Sequence, residues 1–243
     1  MVWGASLGSF FNVVIDRLPR KESIVHPRSH CTDCGYAIPV WMNVPILSYI
    51  LLKGKCGKCG AKIHWHHLAV EIVTPLIYIA LFYRYGLDSL LFYKYVVLSS
   101  FLIPIFFIDL FHKLVLHVTT IPLIATGLLF SLLPASDVGI LNSGITSIVI
   151  LGLLTLIAYL FFALRKRDGL GGGDIWLLTG IASYFGFVGM PWIVLISCLT
   201  AIIYFFAFIR KSDQEFVWGP FIAVAGVFWA VGGTFFLERI LVF

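Results

Sequence analysis

The sequence predicts an all-α polytopic membrane protein of about eight transmembrane helices with a small cytoplasmic zinc-ribbon-like insertion. Three observations predict it: a composition too apolar for water, apolar runs of spanning length that recur along the chain, and two C-x-x-C pairs confined to one polar segment. Of 243 residues, 60% are hydrophobic and 12% charged, with mean hydropathy +0.99, whereas a soluble domain carries roughly 25% charged residues. A soluble globular domain is thereby excluded.

Crossing a bilayer as a helix takes roughly 20 mostly apolar residues. Met1 to Ile15 is short for a span, and it has neither a basic region before it nor a small-residue cleavage site after it. It therefore reads as a first helix and not as a signal peptide. Seven further runs follow: Leu68 to Tyr83, Leu90 to Leu110, Leu114 to Leu133, Ile140 to Leu164, Leu170 to Val188, Met190 to Ile209 and Phe216 to Leu237. The expected domains are a first helix at 1–16, a four-cysteine module at 17–67 and a bundle of about seven helices at 68–243.

Lys and Arg collect in short cytoplasmic loops. With the amino terminus outside, fourteen of the 17 fall inside: Arg17, Arg20, Lys21, Arg28, Lys53, Lys55, Lys58, Lys62, Lys113, Arg165, Lys166, Arg167, Arg210 and Lys211. Arg84, Lys94 and Arg239 stay outside. The net charge of +5 then reflects topology and attraction to anionic lipid headgroups, and calls for no nucleic-acid partner.

Within the inner segment stand Cys31-Thr32-Asp33-Cys34 and Cys56-Gly57-Lys58-Cys59, each followed by a glycine, Gly35 and Gly60. Two such knuckles offer four thiolates to one tetrahedral zinc ion. Two disulfides are the competing reading, disfavoured in a reducing cytoplasm. His64, His66 and His67 come just after the second knuckle. Since four cysteines already complete a structural zinc site, the histidines are read as interfacial side chains. Cys198, alone in an apolar run, reads as an inert thiol.

Ionisable groups inside membrane runs are costly and functional by default. Asp109 lies at the inner end of the third expected helix and Asp174 opens the sixth after Gly171-Gly172-Gly173; the charge asymmetry puts both at the inner face. Two adjacent carboxylates share a proton, one activating water while the other polarises a carbonyl, as aspartic proteases do. The three glycines would let the backbone unwind and admit a substrate strand. Taken singly, Asp174 could instead cap a helix and Asp109 could sit at the interface, and a proton-coupled transporter uses similar parts.

The order of motifs goes further. Gly8-Ser9-Phe10-Phe11-Asn12-Val13-Val14-Ile15-Asp16-Arg17-Leu18-Pro19, the first knuckle, Trp41 to Tyr49, Lys53-Gly54-Lys55-Cys56, Glu71, Asp109-Leu110, Thr120-Ile121-Pro122, Gly171 to Asp174 and Trp218-Gly219-Pro220-Phe221 together resemble the type IV prepilin peptidase family almost end to end. The resemblance implies removal of the basic leader from prepilins or pseudopilins at the cytoplasmic face of the bacterial inner membrane, with Asp109 and Asp174 as the catalytic pair. It also implies N-methylation of the new amino terminus from S-adenosylmethionine, whose binding residues the sequence does not mark. An aspartic protease of other membrane substrates, without methylation, is the second reading, and a carboxylate-lined transporter the third. Gly171, Gly172, Gly173 and Glu71 are assigned to substrate positioning; Arg17 or Lys62 is the expected charge partner of Glu71. Asn12 is expected to hydrogen-bond between helices. The chain departs from the family pattern at His66-His67-Leu68, Leu116-His117 and Trp176.

Overall fold

The computed structural model describes residues 2–167, 169–209 and 217–233. Met1, Arg210, Lys211, Arg239 and both ends of the expected run from Phe216 to Leu237 lie outside the described residues. The described chain is helical, with no strand but two isolated bridges. Among the described residues four helices are long and apolar enough to cross a membrane, including Trp65–Tyr85, Leu90–His112 and Ile140–Arg165. The chain divides into two compact units, Met1–Tyr83 and Arg84–Phe243.

In the first unit, α1 (Val2–Arg17) lies against α3 (Trp65–Tyr85), with the short helix α2 (Leu47–Leu51) in the segment between them. Gly4, Gly8, Asn12 and Asp16 recur every four residues, so they form one stripe along α1. A Cβ on Gly4 would lie 2.8 Å from Pro75 Cα and one on Gly8 2.9 Å from Glu71 Cα. Only glycine lets the two backbones approach this closely. One turn further on, Asn12 Nδ2 donates to the His67 carbonyl at 3.0 Å, the expected bond between helices. At the end of the stripe Asp16 meets His66 and His67.

The second unit contains α4 (Leu90–His112), α5 (His117–Ser131), α6 (Ile140–Arg165), α7 (Gly172–Tyr204) and α8 (Gly219–Phe228). The expected run at 114–133 falls on the shorter α5. α6 is apolar all round and largely unburied, the pattern of a helix whose solvent is lipid. α7 breaks at Gly186, where φ is 57° and ψ −163°, and Asn142 Oδ1 accepts the Phe187 N–H at 3.1 Å. Beyond the break α7 folds back. A Cβ on Gly189 would lie 3.0 Å from the Trp229 indole nitrogen, and Trp192 stacks on Trp229 at 6.2 Å. Twelve residues later Tyr204 reaches Phe221 near the start of α8, at 5.4 Å. The two arms of α7 thus coincide with the expected runs at 170–188 and 190–209.

Lys94, expected at the outer surface, is fully buried; its ammonium lies 2.5 Å from Asp137 Oδ1, and the Tyr95 hydroxyl donates to Asp137 Oδ2 at 2.5 Å. A buried ammonium is tolerated because a carboxylate neutralises it.

Candidate active site

Asp109 sits in the last turn of α4, whose end is fixed by Lys113: this residue adopts the left-handed conformation, and its N–H returns to the Asp109 carbonyl at 2.9 Å. Asp174 lies in the first turn of α7, where Gly171, in extended conformation, is the capping residue. Asp174 is therefore not the helix cap. Gly172 and Gly173 are already helical. A Cβ on Gly173 would collide with Val115, and one on Gly171 would lie 3.1 Å from Asp174 Oδ2. The glycines accordingly let the start of α7 press against the α4–α5 connection.

The two carboxylates converge on one point. A Cβ on Gly219, the first residue of α8, would collide with Asp109 Oδ2 and stand 3.3 Å from Asp174 Oδ1. Helix ends from α4, α7 and α8 thus bring two acids and a bare backbone together. Asp109 is buried and Asp174 half-buried. Asp109 Oδ2 has no hydrogen-bond partner among the described residues, although a buried carboxylate oxygen ordinarily has one. Two acids placed this way can divide one proton between them, which is what adding water to a carbonyl requires. Gly219 was not among the expected site residues; its signal was the block Trp218-Gly219-Pro220-Phe221. His117 and Trp176, two departures from the family pattern, touch edge-on at 5.3 Å.

The four cysteines form a separate cluster in the first unit, one that could hold a metal ion, with all four sulfurs within 4.8 Å of one another. Both knuckles are built alike. Gly35 N–H bonds the Cys31 carbonyl at 2.9 Å and Gly60 N–H that of Cys56 at 3.0 Å, with the two glycines at φ 67° and 73°. Bridges between His30 and Ala37 and between Lys55 and Lys62 close the loops. Backbone N–H groups of Cys59 and Lys58 donate to the Cys56 sulfur and pull its thiol down to about 6. The Ala61 N–H favours a Cys59 thiolate, but the crowding sulfurs of Cys34, Cys56 and Cys31 push that thiol up to about 12. Four sulfurs this close cannot all ionise without a cation among them.

Glu71 has different partners from those expected. Its Oε2 accepts the Ile46 N–H at 2.6 Å and the Ser9 hydroxyl also bonds it, while the buried Arg17 guanidinium turns to the carbonyls of Ser23, at 3.0 Å, and Arg28, at 3.5 Å. Neutral donors, an amide and a hydroxyl, thus take the place of the expected cation. Ile46 itself has φ 64° and ψ −53°, with Leu47 N–H on the Pro45 carbonyl at 2.6 Å, a γ-turn of the rare, strained hand.

Residues 2–85 match the bacterial peptidase A24 N-terminal domain and residues 96–206 the type IV leader peptidase family. Among curated proteins, the prepilin leader peptidase/N-methyltransferase of Dichelobacter nodosus is 31% identical over 90% of this chain and 86% of its own length. The proteins of the same name from Xanthomonas campestris, 31% identical over 94% and 88%, and Neisseria gonorrhoeae, 28% over 93% and 86%, match as broadly. No solved structure matches.

Proposed function

The chain belongs to the type IV leader peptidase family, and from that premise we propose that it cuts the leader from prepilins and N-methylates the new amino terminus, with Asp109 and Asp174 as the hydrolytic pair. The observation that carries the assignment is the convergence of both carboxylates on Gly219. The ionised acid takes a proton from water as the water oxygen bonds the scissile carbonyl carbon. The protonated acid gives its proton to the carbonyl oxygen. The tetrahedral adduct then collapses, the C–N bond breaks and the departing amine takes a proton, so no acyl-enzyme forms. The missing Cβ of Gly219 lets both acids crowd against bare backbone, and Gly172, with nothing within 4 Å of where a Cβ would stand, leaves the start of α7 open to an approaching peptide.

The charge asymmetry supports a multi-pass topology of about eight spans in the inner membrane, with this site at the cytoplasmic face and prepilins or pseudopilins as substrates. Zinc suits the four-cysteine cluster. A tetrahedron with Zn–S bonds of ~2.3 Å has edges of ~3.8 Å, and Cys31 Sγ lies 3.9 Å from Cys59 Sγ. Cys31, Cys34, Cys56 and Cys59 would hold the ion, whose binding free energy would help fold a segment with little core of its own. The methyl group would come from S-adenosylmethionine. Gly171 to Gly173 position the acids at which substrate is cut, and Glu71 acts on substrate positioning within the first unit, through the Ile46 turn.

The test is cleavage of a prepilin in liposomes, read by mass spectrometry with S-adenosylmethionine present. The wild type loses the leader and gains one methyl group, whereas Asp109→Asn and Asp174→Asn each leave the precursor intact in a protein of unchanged thermal stability. Cleavage by both variants at the wild-type rate would remove the pair from the mechanism.

A further inference from the structure

The first unit holds a second cluster of metal-ligating side chains, and it contains no cysteine. Asp16 closes α1, and His66 and His67 open α3. One ligand atom from each lies within 4.8 Å of the others. His66 Nε2 is 3.3 Å from Asp16 Oδ1 and His67 Nε2 is 3.6 Å from Asp16 Oδ2. Consecutive helical residues ordinarily diverge by about 100°, yet these two rings stack at 4.2 Å with an interplanar angle of 28° and turn the same nitrogen toward one carboxylate.

We propose that Asp16, His66 and His67 bind a divalent transition-metal ion, zinc, that ties the end of α1 to the start of α3. A tetrahedral ion with bonds of ~2.0–2.1 Å to nitrogen and oxygen has ligand–ligand edges of ~3.4 Å; each histidine nitrogen stands near that distance from one oxygen of Asp16, His66 from Oδ1 and His67 from Oδ2, so a small turn of the carboxylate would present one oxygen to both. Two imidazoles and one carboxylate are a ligand set for zinc and its neighbours in the first transition row. Three protein ligands leave the fourth corner to water, so the ion exchanges more readily than one enclosed by four thiolates. Access fits this: the Asp16 and His67 side chains are 39% and 29% exposed and that of His66 8%. The neighbouring Arg17 guanidinium, bonded to the Ser23 and Arg28 carbonyls, does not take the carboxylate; Arg20 is the basic side chain whose charge reaches Asp16. The site stands independently of the peptidase assignment, because the histidines replace residues usual in the family.

The full-length protein in detergent, stripped by chelator and titrated with Co2+, tests it. The wild type should take up two equivalents, one giving thiolate charge-transfer absorption and one giving only weak ligand-field bands. Asp16→Asn and His67→Ala should each fall to one equivalent with the charge-transfer band retained, which also reports that the first unit is folded. A second measurement needs no variant: Zn2+ should protect His66 and His67 of the wild type from diethylpyrocarbonate, read at peptide level, while His64 still reacts. A single Co2+ equivalent that carries thiolate charge-transfer absorption in the wild type, or unprotected His66 and His67, would overturn the site. Charge-transfer absorption that is absent while the second equivalent persists would count against the cysteine site alone.

Discussion

Gly219 shows how much of a candidate active site can hang on an absent atom. Its missing Cβ is what lets Asp109 Oδ2 and Asp174 Oδ1 face a common point. Gly219→Ala should displace the Asp109 carboxyl and, because a 1 Å misplacement near the chemistry costs on the order of 10²-fold, reduce leader cleavage by about that factor. Thermal unfolding in detergent should barely move; a fully active Gly219→Ala protein would mean that the carboxylates have room to spare. The acids themselves were legible in the sequence, since a carboxylate in an apolar run stands out by its cost. Gly219 was legible only as part of the block Trp218-Gly219-Pro220-Phe221 and not as a site residue, because a backbone contact leaves no chemical signature in its residue type. The Lys94 and Asp137 pair makes the complementary case at the far end of α4. Lys94 counted as one more outer charge in the sequence, yet it is buried against Asp137. Asp137→Ala would strand that ammonium and should cost about 3–5 kcal/mol, whereas Lys94→Met with Asp137→Ala should recover most of the loss. Unfolding midpoints of the single and double variants decide it, and equal losses would refute the pairing.

At the level of elements, the knuckles follow from sequence spacing, because their geometry is local, whereas the glycine stripe of α1 emerges only once α3 is seen packed against it. The γ-turn at Ile46 does not follow from spacing either, for it is imposed from twenty-five residues away. Glu71 accepts the Ile46 N–H, and a non-glycine residue at positive φ costs on the order of 1–3 kcal/mol unless its surroundings fix it. Glutamine keeps an acceptor oxygen and alanine does not. Glu71→Gln should therefore retain the turn and activity near the wild type, and Glu71→Ala should relax it, raising amide exchange at Ile46 and Leu47. The same exchange rate in both variants would show that something else holds the turn. The expectation that Arg17 or Lys62 pairs with Glu71 failed because a charge-based reading overlooks backbone N–H groups, which satisfy a carboxylate equally well.

For the whole molecule, the break in α7 decides how often the chain crosses the bilayer. An uninterrupted helix over Gly172–Ala207 has 36 residues and at ~1.5 Å per residue would far outrun a hydrocarbon core of ~30 Å. The fold-back at Gly186 resolves the excess by making two arms. Landmarks in the second unit agree. Asp109, Asp174 and Gly219 mark one end. Asp137 beside Lys94, and Asn142 beside Phe187, mark the other. Hydropathy located both apolar runs, but the turn between them lacks charge and carries no loop composition, so only its left-handed glycine gives it away. If the first end is cytoplasmic, reporter fusions after Lys113 and Arg167 should behave as internal. Fusions after Asp88, Ser136 and Val188 should behave as external, with alkaline phosphatase active and green fluorescent protein dark. Val188 is the discriminating site, because an internal reporter there would make α7 a single crossing and move every later segment to the opposite side. An external one gives α7 both crossings and returns the second arm to the face where α8 presents Gly219 to the two aspartates.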